Sequence, residues 1–306
     1  KGDFGTDTIT SVASALGSTL GGFGVVGTNF ADTFNLLLAQ DQWMQVRGGA
    51  GVDSYQIDGS GSVRLDFRGS SNGIDVDLAN RTIANDGFGN QETITGTHSV
   101  WEVHGTDFND SILGSDANES FILGGGTSTL DGGAGFDRVR FDRFEIDSGV
   151  TVDLNAGTAT GSWNGTAFAH SFSNIESIRG SDFGDTIVDS AAGDQLEGKG
   201  GEDIFRISGG FDVIRDFQNG IDALDLSPTG LPPQDILDAF AVAQEDGNAN
   251  AVITYGTDNS LTLEGVSAQD VRDGLINPFG VTLDTQIIDG ALSFDVGFTG
   301  DISVSS

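Results

Sequence analysis

Residues 185–214 read DTIVDSAAGDQLEGKGGEDIFRISGGFDVI, and two interleaved steps of nine residues run through this stretch. An aspartate stands at each step, at Asp185, Asp194, Asp203 and Asp212. A large apolar residue follows each aspartate by two positions, at Ile187, Leu196, Phe205 and Ile214. A period of nine fits neither an amphipathic helix nor an alternating strand alone. It fits half-turns that each combine one tight turn with one short strand.

The same step recurs earlier in the chain. The apolar members of the middle run are Ile112, Phe121, Leu130 and Val139. Their partners two residues earlier are Asp110, Glu119, Ser128 and Asp137. In the first part of the chain the pairs Asp32/Phe34 and Asp41/Trp43 keep the step, and three extra residues then precede Asp53/Tyr55. We expect the apolar member of every pair to point inward.

Longer repeats surround these runs. An octapeptide occurs three times, as GTNFADTF at Gly27–Phe34, GTDFNDSI at Gly105–Ile112 and GSDFGDTI at Gly180–Ile187. A second motif, GGAGxD, occurs at Gly48–Asp53 and Gly132–Asp137, with the variant GKGGED at Gly198–Asp203. The repeats predict a region 1–226 built from about three units, 1–60, 61–140 and 141–226, followed by a different C-terminal region, 227–306.

Two half-turns of nine make one coil, and stacked coils form parallel sheets around a thin apolar core. The predicted fold class is therefore all-β, a parallel β-roll or β-helix with a small C-terminal cap that contains short helices. Residues separated by two steps lie above one another in such a stack. We therefore expect Asp185 to lie beside Asp203, Asp194 beside Asp212, Glu119 beside Asp137 and Asp110 beside Ser128.

The stretch GGAGFDRVR at Gly132–Arg140 resembles the nonapeptide G-G-x-G-x-D-x-U-x of the repeats-in-toxin (RTX) family, where U is a large apolar residue. The resemblance covers most of Gly2–Leu226. It implies a right-handed parallel β-roll with several calcium ions bound between successive turns. Three positions depart from the pattern, because Ser128 replaces an aspartate, Glu119 is longer than aspartate, and Lys199 replaces the second glycine.

The motif suits the chemistry of calcium, a hard cation that takes six to eight oxygen ligands. Glycines let the backbone turn so that carbonyl oxygens face the ion, and the sixth-position aspartate adds a carboxylate. Asp-Gly pairs also form ordinary β-turns, but turn chemistry alone does not explain a shared step of nine for acidic and apolar residues. The predicted calcium-binding residues are Asp7, Asp32, Gly48, Gly49, Gly51, Asp53, Gly105, Asp107, Asp110, Gly114, Asp116, Glu119, Gly132, Gly133, Gly135, Asp137, Gly180, Asp182, Asp185, Asp194, Gly198, Gly201, Asp203 and Asp212.

Charge and composition favour the same function. The 306 residues include 46 acidic and 13 basic ones, for a formal net charge of −33, and this self-repulsion opposes a compact state unless a cation neutralises it. A nucleic-acid partner is not expected, because phosphate binding needs a basic face. The chain has no cysteine, so no disulfide stabilises it. No apolar run approaches the length of a membrane span, and the start, KGDFGTDTI, is already repeat-like and predicts a fragment or processed product.

Two inserts and the C-terminal region differ from the runs. The stretches Ser54–Glu102 and Arg138–Ser177 are predicted to continue the stack as sheet coils or hairpins. The C-terminal region predicts a helix over Pro232–Gln244, a hairpin, and a short helix opening at Ser267, with capping-box spacing to Asp270. This region is similar to the end of serralysin-type C-terminal domains, which implies a cap near a type I secretion signal. The last residues, Asp301–Ser306 (DISVSS), are compatible with such a signal.

No catalytic motif stands out. The three histidines, His98, His104 and His170, do not have H-E-x-x-H spacing, and the one G-x-S-x-G match, Gly69–Gly73, lies in a polar stretch. Trp43, Trp101 and Trp163 either form a sugar-stacking platform or fill and cap the roll, and Arg64, Arg68, Arg138, Arg140 and Arg143 are expected to pair with acidic neighbours.

The expected function is therefore a secreted, extracellular or cell-surface calcium-binding module that folds on secretion. Its parent is either a bacterial surface or matrix protein (adhesin, S-layer or biofilm component) or a secreted enzyme or toxin (protease, lipase or epimerase) with its catalytic domain upstream. The expected partners are calcium and the type I secretion machinery. Self-association and a surface polysaccharide are left open.

Overall fold

The chain is a mostly β protein with long parallel sheets and short helices. The computed structural model describes residues 7–10, 23–280, 284–288 and 291–295, and it describes side chains for residues 24–280. Two compact units divide the chain, an N-terminal unit at residues 1–181 and a C-terminal unit at residues 182–306. The predicted all-β class with parallel sheets is confirmed.

In the N-terminal unit the chain alternates between two sheets, here called N1 and N2. Sheet N1 contains β1, β3, β5, β7–β9, β11, β13 and β15–β17. Sheet N2 contains β2, β4, β6, β10, β12, β14 and β18. The strands are β1 Asp7–Thr10, β2 Phe23–Val26, β3 Asp32–Leu38, β4 Trp43–Arg47, β5 Ser54–Gly59, β6 Ser62–Asp66, β7 Asp75–Asp77, β8 Thr82–Asn85, β9 Glu92–Thr95, β10 Glu102–His104, β11 Ser111–Ser115, β12 Ser120–Ile122, β13 Thr129–Gly133, β14 Arg138–Arg140, β15 Thr151–Asp153, β16 Thr158–Trp163, β17 Thr166–Ser173 and β18 Ser177–Arg179.

The step of nine sets the register of these sheets. Ile112 and Leu130 are parallel partners in N1, and Phe121 and Val139 are parallel partners in N2, so the members of each pair are two steps apart. All four side chains are buried. One nine-residue step therefore carries the chain from one sheet to the other, and two steps return it to the neighbouring strand. The predicted stacking of residues two steps apart is confirmed.

Both inserts form three-stranded antiparallel meanders within N1. After β6 the chain runs through β7 and back through β8 to β9, which pairs in parallel with β5, while β7 pairs in parallel with β11. The second insert repeats this arrangement, because β15, β16 and β17 are antiparallel neighbours and β17 pairs in parallel with β13. The first strands of the two meanders, Asp75–Asp77 and Thr151–Asp153, have the same length and the same burial pattern. Of the two predicted forms, coils or hairpins, the structure has hairpins.

One predicted inward pair is wrong. Asp41 is exposed and Trp43 is only half-buried, whereas Met44 and Val46 of the same strand are buried. Side chains alternate between the two faces of a strand, and β4 turns its even-numbered residues toward the core. Where the three extra residues interrupt the step between Trp43 and Tyr55, the inward position of β4 is therefore Met44, one residue after the predicted Trp43.

The C-terminal unit continues the step of nine and then changes character. Ile187 pairs with Phe205 and Leu196 with Ile214, again two steps apart, and all four side chains are fully buried. In the sheet that contains Leu196 and Ile214, β26 pairs in parallel with β22. Strand β25 then pairs antiparallel with β26, and β24 pairs antiparallel with β25. The elements are β19 Thr186–Val188, β20 Gln195–Glu197, β21 Ile204–Arg206, β22 Phe211–Ile214, β23 Ala223–Asp225, a 3-10 turn Ser227–Thr229, α1 Pro233–Ala241, β24 Gln244–Glu245, β25 Ala251–Tyr255, β26 Asn259–Leu263, α2 Ala268–Arg272, β27 Asp284–Ile288 and β28 Ala291–Asp295.

The predicted cap elements are present. Helix α1 falls within the predicted span, and the hairpin is β25–β26. Ser267 caps α2, because its hydroxyl accepts the backbone N–H of Asp270 at 3.1 Å. No helix in the described part of the chain has the length and apolar character needed to cross a membrane. The predicted secretion segment, Asp301–Ser306, lies outside the described residues.

Several of the predicted arginines form ion pairs, and two of the tryptophans lie in different sheets. Arg140 pairs with Asp142 at 2.7 Å and with Glu102 at 3.0 Å, and Arg68 pairs with Asp66 at 3.1 Å. Arg64 also pairs with Glu102, Arg138 donates to the Ser177 hydroxyl, and Nε and Nη2 of Arg143 have no hydrogen-bond partner. Trp163 is buried in N1, while Trp43 lies in N2 under the guanidinium of Arg64. Trp43 and Trp163 therefore lie in different sheets and share no face, as a stacking platform would require.

The inward apolar row should dominate the stability of the N-terminal unit. Phe121 is fully buried, whereas Phe144 is 87% exposed. In saturating calcium we expect Phe121→Ala to lower the free energy of unfolding by about 3–5 kcal/mol, because it leaves a cavity in a thin core. Phe144→Ala should change it by less than about 0.5 kcal/mol. Urea unfolding of both variants measures the difference, and equal losses would contradict the inward row.

Candidate metal centre

Buried acidic side chains mark the start of the short strands. Each stands two residues before the first inward apolar residue of its strand, and each is 1–3% exposed. Nine of the predicted residues have this position: Asp32, Asp53, Asp110, Glu119, Asp137, Asp185, Asp194, Asp203 and Asp212. The strand register places them in rows that run across the sheets, along the edge where the turns lie.

Hydrogen bonds link the members of a row. Oδ1 of Asp203 accepts the backbone N–H of Asp185 at 2.8 Å, and Oδ1 of Asp212 accepts that of Asp194 at 3.0 Å. In the N-terminal unit, Oδ1 of Asp137 accepts the N–H of Glu119 at 2.8 Å, and Oδ1 of Asp53 accepts that of Asp32 at 2.8 Å. The row survives the three extra residues that separate Asp32 from Asp53. Each carboxylate is thus fixed to the turn of the preceding coil.

The acids also shape their own turns. Asp32 accepts the N–H of Thr28 at 2.6 Å, Asp110 accepts that of Thr106 at 2.8 Å, and Asp194 accepts that of Ser190 at 2.6 Å. The donor is four residues before the acid in each case. This bond closes the turn around the carboxylate and holds it toward the inside of the turn.

Backbone carbonyls of one turn face the glycines of the next. Gly133 and Gly135 have φ of +93° and +133°, which side chains other than glycine rarely adopt. A methyl group added to Gly133 would overlap the carbonyl oxygen of Ser115, and one added to Gly135 would lie 2.5 Å from that of Ala117. Gly49 and Gly51 stand in the same way over Thr28 and Phe30. Glycine here permits a close approach of carbonyl oxygens between stacked turns.

Lys199 takes the conformation of the glycine that it replaces. Its φ is +78°, comparable to that of Gly133 at the same motif position. The N–H groups of Gly198 and Lys199 both donate to the Asp216 carboxylate at 2.9 Å. The substitution therefore leaves the shape of the turn unchanged.

Several buried carboxylate oxygens in these rows have no hydrogen-bond partner. A buried ion without a partner costs several kcal/mol. The unpaired oxygens are Asp32 Oδ1, Asp53 Oδ2, Asp137 Oδ2, Asp194 Oδ1, Asp203 Oδ2 and Asp212 Oδ2. In the pairs Asp32/Asp53 and Asp194/Asp212, both members carry one. These oxygens are available to a cation.

The local electrostatics disfavour the charged form of these carboxylates. Burial, with repulsion from neighbouring carboxylates, raises the pKa of Asp137 and Asp203 from 3.8 to about 7, and that of Asp212 to about 8. Burial raises the pKa of Asp53 to about 6. Both effects disfavour the charged form. A bound proton or a bound cation would relieve them.

The donor set fits calcium. No three Asp, Glu or His side chains among the described residues converge closely enough to ligate one ion by themselves. Each row instead offers two carboxylates from stacked turns, with carbonyl oxygens beside them. Carboxylate and carbonyl oxygens are the ligands that calcium takes, at about 2.3–2.6 Å. The residues that would hold an ion are the acids of two successive turns and the carbonyls between them.

No family model matches this chain, and no curated protein matches it. The geometry of the turns therefore carries the functional argument alone.

Some predicted residues do not join the rows. The side chains of Asp107, Asp116 and Asp182 are exposed, and Asp107 accepts the indole N–H of Trp163 at 2.7 Å. The backbone of Asp7 pairs with Asp32 in β1, but its side chain lies outside the described residues. The remaining predicted glycines lie in the turns or at the ends of strands. Those that stand beside an acid of their own motif are Gly48 with Asp53, Gly105 with Asp110, Gly114 with Glu119, Gly132 with Asp137 and Gly198 with Asp203. Gly180 is buried and Gly201 has φ of +111°.

The sequence argument missed three acids that extend the rows. Glu92 accepts the N–H of Asp53 at 3.3 Å, Glu176 accepts that of Asp137 at 2.9 Å, and Asp222 accepts that of Asp203 at 3.2 Å. All three stand two residues before an inward apolar residue, as the motif acids do. That signal was available in the sequence. The spacing hid it, because none of these three pairs is separated by two steps of nine.

Ser128 takes the place of a row acid but contributes a neutral hydroxyl in place of a carboxylate. Its hydroxyl accepts the N–H of Asp110 at 3.1 Å, and its own N–H donates to Nδ1 of His170 at 3.2 Å. Burial lowers the pKa of His170 to about 4, so this ring is neutral at physiological pH. The row at this point consists of Asp110, Ser128 and His170, with one carboxylate only.

Calcium affinity should depend on Asp203 more than on Ser128. Asp203→Asn keeps an oxygen for the Asp185 N–H but removes the charge, so the calcium concentration at the folding midpoint should rise, by about tenfold or more for a lost charged ligand. Ser128→Ala removes one neutral hydrogen bond and should shift the midpoint clearly less. Calcium titrations followed by circular dichroism give both midpoints. Equal shifts, or a larger one for Ser128→Ala, would contradict the assignment of ligands.

The raised pKa values predict how stability depends on pH without metal. The folded protein binds protons at Asp137, Asp203 and Asp212 that the unfolded chain, with a pKa of 3.8, has released. Their stabilising contribution is therefore fully present below about pH 4 and is lost as pH rises through about 7 to 8. Saturating calcium replaces these protons and should remove the loss.

Urea midpoints in chelator and in calcium, between about pH 5.5 and about pH 8, measure this linkage. We expect the midpoint in chelator to fall over this range and the midpoint in calcium to stay constant or rise. A metal-free protein whose stability increases toward about pH 8 would show that these carboxylates are not buried together.

Proposed function

We propose that this chain is a calcium-binding extracellular module of the RTX type, a right-handed parallel β-roll with calcium ions between its turns. The observation that carries the proposal is the set of unpaired, fully buried carboxylate oxygens in stacked turns, above all Asp194 with Asp212 and Asp32 with Asp53. Buried carboxylates are paired or coordinate metals in stable proteins. No arginine or lysine pairs with these four among the described ion pairs.

The turn geometry favours calcium over magnesium. Carbonyl oxygens from two turns and a carboxylate from each form a cage whose size is set by the spacing of neighbouring strands, about 4.8 Å. Magnesium requires near-octahedral ligands at about 2.0–2.1 Å and loses its water reluctantly. Calcium accepts longer bonds and irregular coordination. The cage is thus suited to the larger ion.

Calcium binding and folding are coupled in this proposal. The net charge of −33 and the absence of cysteine leave the metal-free chain weakly stabilised. A ligand that binds only the folded state stabilises it by mass action. In the calcium-poor cell interior the chain stays unfolded and passes through a type I channel, and extracellular calcium then folds it. The cap formed by α1, β24–β26 and α2 would close the end of the roll.

Far-UV circular dichroism tests the coupling. In excess chelator at about pH 8, where the raised pKa values no longer keep the buried carboxylates protonated, we expect the chain to lose most of its β signal, because these carboxylates then repel one another without a counter-charge. Added calcium should restore the signal, and magnesium at the same concentration should not.

The control for ionic strength is sodium chloride matched to the charge of the added calcium, since salt alone screens exposed charges but not buried ones. A chain that is fully β-structured in chelator would refute calcium-dependent folding. Equal refolding in magnesium would refute the cage.

A further inference from the structure

The row of Asp53 and Glu92 reaches a cavity of the N-terminal unit, where further acids lie. The cavity has a volume of about 220 Å³, and its wall includes Tyr55, Asp86 and Glu92. Asp86 and Glu92 are 2% and 3% exposed, and Asp53, whose backbone N–H donates to Glu92, is 1% exposed. Neither Asp86 nor Glu92 belongs to an octapeptide or a GGxGxD motif. Three buried carboxylates, Asp66, Asp86 and Glu92, therefore line this cavity, and Asp53 is joined to Glu92 by a hydrogen bond.

Tyr55 brings a hydroxyl to the same place. Its hydroxyl donates to Oε2 of Glu92 at 3.2 Å, while Oε1 of Glu92 accepts the N–H of Asp53 at 3.3 Å. A methyl group added to Gly48 would collide with both the Tyr55 hydroxyl and Oδ2 of Asp53, so these two oxygens are neighbours. Oδ2 of Asp53 is buried and has no partner. It thus faces a group of oxygens with nothing positive between them.

The positive side chains of the cavity wall pair with Asp66 of the same wall, not with Asp53 or Glu92. Arg47 donates to Asp66 at 2.6 Å, and Arg68 pairs with Asp66 at 3.1 Å and with Glu145 at 3.7 Å. Asp86 is held by its own loop, where it accepts the N–H groups of Phe88 and Asn90 at 2.8 and 2.9 Å. None of these contacts supplies a cation to Asp53 and Glu92.

We propose that this cavity binds a divalent cation of the calcium class through Asp53, Glu92 and the Tyr55 hydroxyl, with Asp86 as a further negative charge at its wall. The donors are all oxygen, which selects a hard cation. This inference rests on the proposed function in one respect, because Asp53 also belongs to the proposed repeat site with Asp32. The other oxygens of the cavity site come from the first insert, so this site would bind an ion where the repeat pattern is interrupted.

Terbium luminescence is a direct probe, because terbium replaces calcium at oxygen sites and emits when a nearby tyrosine is excited. The chain has only two tyrosines, Tyr55 and Tyr255. In a Tyr255→Phe background Tyr55 is the only tyrosine that remains. Emission from the Tyr55→Phe/Tyr255→Phe double variant gives the contribution of the three tryptophans, which is subtracted.

In the Tyr255→Phe background, Glu92→Gln should weaken tyrosine-sensitised terbium binding by about tenfold or more, as expected for a lost charged ligand. Asp86→Asn should weaken it by a smaller factor. The matched control is Glu176→Gln, because Glu176 also accepts the N–H of a row aspartate but has no tyrosine beside it. This control should leave the signal of Tyr55 unchanged. Circular dichroism in calcium verifies that each variant is folded.

The outcomes separate this site from the repeat sites. If Glu92→Gln leaves the binding curve unchanged while Asp32→Asn abolishes it, the ion belongs to the repeat site and this inference is overturned. If terbium and calcium fail to bind the unsubstituted protein at all, the proposed function fails as well. A count of bound calcium by native mass spectrometry keeps the test independent of luminescence. Glu92→Gln should bind one ion fewer, and an unchanged count would also overturn the site.

Discussion

The structure depends on how it accommodates buried carboxylates that lie beside one another in neighbouring parallel strands. The parallel register places one buried carboxylate directly beside the next, at the spacing of neighbouring strands. Two unit charges about 5 Å apart repel by about 3 kcal/mol at an effective dielectric constant of about 20. The hydrogen bond from each backbone N–H to the next carboxylate, as between Asp185 and Asp203, offsets part of this repulsion. The unpaired second oxygens show where the compensation is incomplete.

The thin apolar core follows from the same repeat. Each half-turn supplies one large inward residue, such as Phe121 or Phe205, and the turn before it supplies glycines and a buried acid. Few residues per coil are therefore available for hydrophobic stabilisation. A cation between turns would join neighbouring coils at the point where the core is thinnest. Under the proposed function, binding of such a cation and folding would be one process.

The inserts have a role beyond lengthening the stack. The first meander leads to Glu92, which meets the row of Asp53, and the second leads to Glu176, which meets the row of Asp137. The chain leaves the regular step and then returns an acid to the same position relative to the strand. Each of these two rows thus gains one further acid from beyond an insert. At Asp53, Glu92 of the insert also accepts a hydrogen bond from Tyr55, and both line a cavity.

The sequence by itself determined the local unit and its period. The step of nine at Ile187, Leu196, Phe205 and Ile214 predicted the alternation between two sheets and the stacking of residues two steps apart, because a strand pair repeats what one coil contains. It also predicted the capped helix at Ser267, which depends on residues three positions apart. Only the tertiary structure decided which residues are neighbours in space although their spacing in the sequence departs from the step of nine. Glu92, Glu176 and Asp222 join the rows at other intervals, because backbone hydrogen bonds restore the register after each insertion. The side chains of Asp107, Asp116 and Asp182 turn outward, and Met44 replaces Trp43 inside, because the pleat of each strand and turn sets the direction of a side chain.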